Sequence, residues 1–152
     1  MYSALLVAHS VLRWLALAGL LYMLFRAFGG YAKRSVFSRR DNAFRHWTAT
    51  LMHVQLVAGM ILYTQSPIVR YFWRSKDVES GNGDPLFFSL LHMPAMLLAV
   101  AVVTAGSALA RRKTDDADKF KTILLWYGAA LLLILLAIPW PFSPLAQRPY
   151  FR

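Results

Sequence analysis

The sequence contains no cysteine among its 152 residues, and only seven of its residues are acidic. Without cysteine there can be no disulfide, no thiolate metal site and no haem attached through a Cys-x-x-Cys-His motif. Any metal or cofactor would therefore be bound by nitrogen, oxygen or methionine sulfur. The sequence also has no Gly-rich phosphate loop and no acid-base or nucleophilic constellation, so neither a hydrolase nor a transferase is expected.

Apolar residues are abundant. They make up 58% of the sequence, its mean hydropathy is +0.44, and they occur in long runs separated by short charged segments. This composition is typical of a small integral membrane protein in contact with the lipid bilayer. The net charge of +10 comes from basic residues in the gaps between the apolar runs, so they form no continuous stripe and nucleic-acid binding is not expected.

Four apolar segments reach the length of about 20 residues that a helix needs to cross the hydrocarbon core. The first lacks a basic leader and a small-residue cleavage site, so we interpret it as a retained helix and not as a signal peptide. Short connections make consecutive helices antiparallel neighbours. The sequence thus predicts an all-α fold, a single transmembrane domain over residues 1–152 with up-down-up-down four-helix bundle topology. The predicted helices cover approximately residues 2–28, 44–64, 86–110 and 122–138.

Local signals mark the expected helix ends. Gly29 and Gly30 are expected to end the first helix, and Asp84 with Pro85 indicates the start of the third. The acidic residues at 115–118 suit the positive end of the dipole of the fourth helix. Each predicted helix therefore has at least one boundary signal or a charged flank.

The basic residues are distributed unevenly between the two sides of the predicted bundle. Eleven of them flank the loops after the first and third helices, and five lie on the opposite side. The positive-inside rule places the richer side in the cytoplasm, which puts both termini in the periplasm of a bacterium, with the protein multi-pass in the inner membrane. The five on the opposite side are Arg70, Arg74, Lys76, Arg148 and Arg152.

Ionisable side chains are rare within the predicted spans, where they usually point into a bundle and have a function. At a rise of about 1.5 Å per residue, His9 and His92 both lie roughly 10 Å below the outer face, on diagonally opposite helices. His53 lies about 16 Å below that face, closer in depth to Arg13. His9 and His92 could therefore bind one object between the helices.

A haem iron accepts two axial nitrogens, and haem b needs no cysteine. We therefore expect His9 and His92 as the favoured ligand pair, with His53 as the substitute for either. Pro94 follows His92 by two residues; it either kinks the helix so that the imidazole points inward or is a tolerated membrane proline.

Arg13 keeps its charge at any depth, and no acidic residue lies within a predicted span. It therefore needs a backbone carbonyl, water, a haem propionate, a quinone oxygen or a carboxylate from another subunit. Trp14 is the aromatic residue close enough to the histidines to belong to the site. His46, beside Arg45, is expected at the membrane interface.

Taken together, these residues resemble the small bacterial four-helix membrane proteins labelled cytochrome b. The resemblance covers nearly the whole chain and implies b-haem binding and electron transfer in or beside a respiratory chain, with His9, His53, His92 and Arg13 near the cofactor. Phe120 stands where that family often has a histidine between two lysines, so no ligand is expected from the fourth helix. The matching motifs are His9-Ser-Val-Leu-Arg13-Trp14, His53-Val-Gln55-Leu-Val-Ala-Gly59, His92, Lys121-Thr122 and Ile138-Pro-Trp140-Pro-Phe142.

Two alternatives remain open. Three histidines from three helices also suit a copper or zinc centre, although His53 would have to rise by about one helical turn. In the other alternative the chain is a cofactor-free accessory subunit, in which Arg13 pairs with an acid of a neighbouring protein. A homodimer or association with a larger respiratory complex is compatible with each of these functions.

Overall fold

The computed structural model describes residues 2–75 and 83–142, and this part of the chain is entirely helical apart from its connections. Lys76, Arg148 and Arg152, which the charge count included, lie outside the described residues. We number the helices in chain order: α1 Tyr2–Ala32, α2 Arg39–Gln65, α3 Pro67–Ser75, α4 Asp84–Arg112 and α5 Asp116–Ala137.

Three of these helices, α1, α4 and α5, are long and apolar enough to cross a membrane. They correspond to three of the four predicted spans. The remaining predicted span, the second along the chain, lies within α2, which has 27 residues but begins with the charged and polar residues at 39–42. The four long helices extend beyond the predicted apolar segments at one end or both. Charged residues continue α2, α4 and α5 outside the apolar runs, whereas α1 continues through the uncharged residues 29–32.

Capping hydrogen bonds fix the starts of α2 and α5. Ser38 caps α2, since its hydroxyl accepts from the backbone N–H of Asp41 and the Asp41 carboxylate accepts from the backbone N–H of Ser38. Asp115 caps α5 by accepting from the backbone N–H of Asp118 at 3.0 Å. The acidic residues before the fourth span therefore act as predicted, although the helix starts several residues earlier than the apolar run.

The expectation that Gly29 and Gly30 end α1 is wrong, because the helix continues to Ala32. Gly30 has a packing role instead. A Cβ atom on Gly30 would lie 2.4 Å from Cζ of Phe120, whose side chain is fully buried. The missing side chain thus allows α5 to approach α1 closely.

The four long helices pack so that each contacts two of the others. α1 packs against α2 and α5, and α4 packs against the same two helices, so α1 and α4 lie diagonally opposite. Gln55 contacts His9 near the start of α1, whereas Asp41 contacts Arg26 near its end, which makes α1 and α2 antiparallel. Three further cross-helix hydrogen bonds follow the same order: Tyr63 with Ser89, Arg45 with Ser107, and His92 with Ala137.

The two ends of this arrangement differ. We call the end where α1 begins and α2 ends the cavity end, and the end where α1 ends and α2 begins the basic end. At the basic end, Asp41 is buried and its carboxylate accepts from Arg26 Nε at 2.7 Å and Nη2 at 3.1 Å. Burial alone would raise the pKa of Asp41, but hydrogen bonds from Ser38 and the Arg26 charge lower that pKa below its ordinary value.

Arg45, also at the basic end, is buried without a carboxylate among its hydrogen-bond partners in the described chain. Its Nη1 donates to the backbone oxygen of Ser107 at 2.8 Å and to the Ser107 hydroxyl. Its Nε and Nη2 donate to Oδ1 of Asn42, and Tyr127 donates to the Arg45 backbone oxygen at 2.9 Å. Arg45 thus joins α2 to α4 through its guanidinium group and to α5 through its backbone oxygen.

Candidate functional site

A cavity of about 180 Å³ lies at the cavity end, between α1, α2, α4 and the end of α5, with α3 beside it. Most of its lining is apolar, and methionines contribute four of the lining side chains: Met52, Met60, Met93 and Met96. Polar side chains converge on it as well. These are Tyr2, His9, Ser10, Arg13, Gln55, Tyr63, Ser66 and His92.

The predicted pair of histidines meets at this cavity. His9 lies on α1 and His92 on α4, so the two imidazoles approach from diagonally opposite helices. Arg13 lines the same cavity one turn after His9. His9 and His92, predicted to lie at similar depth, therefore line the same cavity.

His92 ends a π-helical turn, residues Phe87–His92, within α4. Pro94 has no N–H and its ring crowds the carbonyl of Leu90, so an ordinary α-turn is unfavourable just before it. The wider turn accommodates the proline, and such turns often occur at functional sites. The observed turn is compatible with both interpretations of Pro94, since it distorts the backbone directly before the proline and also accommodates a proline within a membrane helix.

The hydrogen bonding of His92 leaves one ring nitrogen available. Its Nδ1 lies 2.7 Å from the backbone oxygen of Ala137, which can only accept, so Nδ1 carries the proton. Its Nε2 then has a lone pair, and it makes no hydrogen bond to any residue in the described ranges. A histidine held through Nδ1–H to a carbonyl, with Nε2 free, is the usual arrangement of a metal-ligating imidazole.

His9 is held differently, by α2. The amide Nε2 of Gln55 donates to the His9 backbone oxygen at 3.1 Å and lies 3.2 Å from the ring Nε2 of His9. The ring Nε2 is therefore an acceptor and Nδ1 carries the proton. Gly59, one turn further on, leaves room for the ring: a Cβ there would lie 3.1 Å from Cε1 and 3.6 Å from Nδ1 of His9.

Arg13 brings a permanent positive charge to this cavity. Its guanidinium carbon also lies 5.4 Å from the ring centroid of Trp14, within cation–π range. Trp14 does not line the cavity; its ring packs against Trp140 at 6.5 Å. No acidic side chain lines the cavity within the described part of the chain, so Arg13 is the permanently charged side chain among the described lining residues.

His53 lies outside the cavity. It is exposed on the outer side of α2, where its Nδ1 donates to the Ala49 backbone oxygen at 2.7 Å and its Nε2 lies 3.2 Å from Oγ1 of Thr104. Throughout residues 2–75 and 83–142, no three metal-ligating side chains of the His, Cys, Asp or Glu types come together. The fold therefore brings two of the three predicted histidines together, and not the third.

Two side chains near the cavity were given no role from the sequence. Gln55 holds His9, and its position as an uncharged polar residue in an apolar segment was the available signal. Tyr63 donates to the Ser89 backbone oxygen at 3.2 Å and accepts from Trp73 Nε1 at 3.0 Å. That pair joins α2, α3 and α4 beside the cavity, and nothing in the spacing of the sequence indicates it.

The residues at this cavity fit haem b in their donor set and less well in their volume. His92 offers a free Nε2. Nε2 of His9 would be available to a ligand once the Gln55 amide moves away, and its protonated Nδ1 is buried without a hydrogen-bond partner among the described residues. Ligand sites usually measure about 300–1,000 Å³, more than the 180 Å³ found here. A macrocycle would therefore have to displace side chains, and unbranched methionines move at low cost.

Comparison with known proteins gives no relative: no protein-family model, curated protein or solved structure matches the chain.

Proposed function

We propose that the chain is a multi-pass protein of the bacterial inner membrane, in which α1, α2, α4 and α5 form an up-down-up-down four-helix bundle with both termini in the periplasm. Support comes from the three apolar helices and from their antiparallel packing with α2. The excess of arginine and lysine near the basic end supports a cytoplasmic location for that end. The cavity end then faces the periplasm.

We further propose that this cavity binds haem b and that the protein transfers electrons within the membrane. The observation that carries the proposal is the free Nε2 of His92, oriented by the Ala137 carbonyl, in a cavity shared with His9 from the opposite helix. The resemblance of the sequence to four-helix cytochromes b supports the same function. Bound haem iron would supply one-electron redox chemistry.

The chain's own side chains would have distinct tasks toward that group. His92 would donate its Nε2 lone pair, and His9 would provide the second imidazole. Arg13 would offset the charge of a carboxylate on the guest. The apolar lining, including Met52 and Met96, would exclude water and so influence the redox potential.

An absorption spectrum of the protein purified in detergent with added haemin tests this proposal. We expect a Soret band, with sharp α and β bands after reduction, at one haem per chain. His92→Ala should abolish high-affinity binding, and His9→Ala should weaken it and change the spin state. His53→Ala is the matched control and should bind as the unaltered protein does. Absence of stoichiometric binding, or full binding by His92→Ala, would contradict the proposal.

The small volume of the cavity favours a second candidate, a site for a quinone head group. Arg13 would donate to a quinone oxygen, and Nε2 of His92 would accept from the hydroxyl of the reduced form. A short-chain quinone should then raise the thermal unfolding temperature of the haem-free protein, and Arg13→Gln should remove that effect. Haem and quinone are distinguished by which of them binds stoichiometrically and protects the chain.

A further inference from the structure

A groove lies between α1 and α2 at the basic end, remote from the cavity. Its lining contains three arginines, Arg26, Arg39 and Arg40, together with one acid, Asp41. Two aromatic side chains, Tyr22 and Phe44, complete it, with ring centroids 4.6 Å apart. The groove is therefore basic on one side and aromatic on the other.

The single acid cannot neutralise the groove. Both carboxylate oxygens of Asp41 are engaged, since Oδ1 accepts from Arg26 Nε and Oδ2 accepts from Arg26 Nη2 and from both the backbone N–H and the hydroxyl of Ser38. Arg39 and Arg40 are exposed, and neither forms an ion pair with a residue in the described ranges. Two guanidinium groups thus remain available to an external anion.

The aromatic pair indicates where this groove lies relative to the bilayer. Tyr22 and Phe44 are 45% and 46% exposed, and Phe44 stands where the predicted apolar span of α2 begins. Exposed aromatic side chains next to arginines are typical of the headgroup level of a membrane. An anion bound here would therefore sit at the bilayer surface, with its apolar part beside the aromatic rings.

We infer that this groove binds the phosphodiester headgroup of an anionic phospholipid, with Arg39 and Arg40 on the phosphate and Tyr22 and Phe44 against the start of the acyl chains. Arginine suits phosphate because its planar fork donates two parallel hydrogen bonds. Basic recesses between helices at the cytoplasmic surface are known to select such headgroups. The inference does not depend on haem binding.

Native mass spectrometry of the delipidated full chain with phosphatidylglycerol or phosphatidylcholine of identical acyl chains tests the inference. We expect one phosphatidylglycerol to bind with clear preference over phosphatidylcholine. The double variant Arg39→Gln/Arg40→Gln should lose about thirtyfold of that affinity, and each single variant about fivefold. The control Arg70→Gln/Arg74→Gln removes the same charge from α3 and should keep the preference.

Three outcomes would overturn the inference. The unaltered protein could show no preference for the anionic lipid, or the α3 control could lose as much affinity as the groove variant, which would indicate attraction to net charge alone. Glycerol phosphate could displace the lipid completely at equal concentration, which would indicate a site for a soluble anion. Because the first and third measurements use the unaltered protein, the test remains decisive if the double variant does not fold.

Discussion

Replacing Gln55 by leucine tests whether the hydrogen bond that holds His9 competes with binding of the proposed haem. In the structure the Gln55 amide occupies the Nε2 lone pair of His9 at 3.2 Å. If His9 binds iron through Nε2, that hydrogen bond has to break first. Gln55→Leu removes the competing donor while it keeps a side chain of similar length in the cavity.

The size of the effect follows from the bond that is lost. A neutral hydrogen bond contributes about 0.5–1.5 kcal/mol net, which corresponds to roughly a twofold to tenfold change in affinity. Haem affinity should therefore rise by that factor in Gln55→Leu, with a larger low-spin fraction. Gln65→Leu is the matched control, because Gln65 lies on the same helix but does not line the cavity; it should change neither quantity.

A second substitution tests, without any cofactor, which ring nitrogen of His9 carries the proton. In Gln55→Glu the ionised carboxylate can only accept, so it favours a proton on Nε2 of His9 instead of Nδ1. Nitrogen-15 shifts of the labelled imidazole in the haem-free protein should show that the proton has moved. Unchanged shifts, together with lower haem affinity in Gln55→Leu, would refute our account of Gln55, whereas failure of every variant to bind haem would refute the proposed function.

Two further predictions concern the fold. Gly30→Ala should lower the free energy of unfolding by about 1–3 kcal/mol, because its Cβ would lie 2.4 Å from buried Phe120. Gly29→Ala has nothing within 4 Å of its Cβ and should leave that free energy unchanged or raise it by up to about 1 kcal/mol. Equal effects in denaturant titrations of the two variants would contradict this. Asp41→Asn should cost about 1–3 kcal/mol at neutral pH. Because folding lowers the pKa of Asp41 from its ordinary value of 3.8, the stabilisation by its carboxylate is complete above that pH and is lost as the pH falls through the folded-state pKa. The free energy of unfolding should therefore decrease less in the variant than in the unaltered protein when the pH is lowered through this range.

The position of a residue along its helix could be estimated from the sequence, because the rise of a helix is nearly constant. That constancy is why His9 and His92 were expected at one level, and both line the cavity. The helix ends were harder to predict from the apolar runs. The mostly charged segments 39–43 and 116–121 continue their helices outside those runs. Gly30 does not end α1 but allows close packing against Phe120.

The direction in which a side chain points could not be predicted from depth alone. Gln55 and Gly59 are four residues apart and so share a face of α2, the face that holds His9. His53 precedes Gln55 by two residues, which turns it by about 200° around the helix axis. The apolar residues of α2 are too evenly distributed around the helix to predict this rotation. His53 was therefore a ligand candidate by its estimated depth, whereas in the structure it is exposed and lies beside Thr104.

The π-helical turn explains why the two histidines of the cavity are unequal. A turn of this kind contains an additional residue, so it rotates everything before it relative to an ordinary helix, and a single proline in the sequence does not specify that shift. Here it places His92 where the Ala137 carbonyl holds its Nδ1, a backbone partner that leaves Nε2 free. His9 instead has a side-chain partner, Gln55, on the nitrogen that a ligand would need. A backbone carbonyl cannot rotate away but a glutamine amide can, so we expect His92 to be the constant ligand and His9 the one whose binding depends on the state of Gln55.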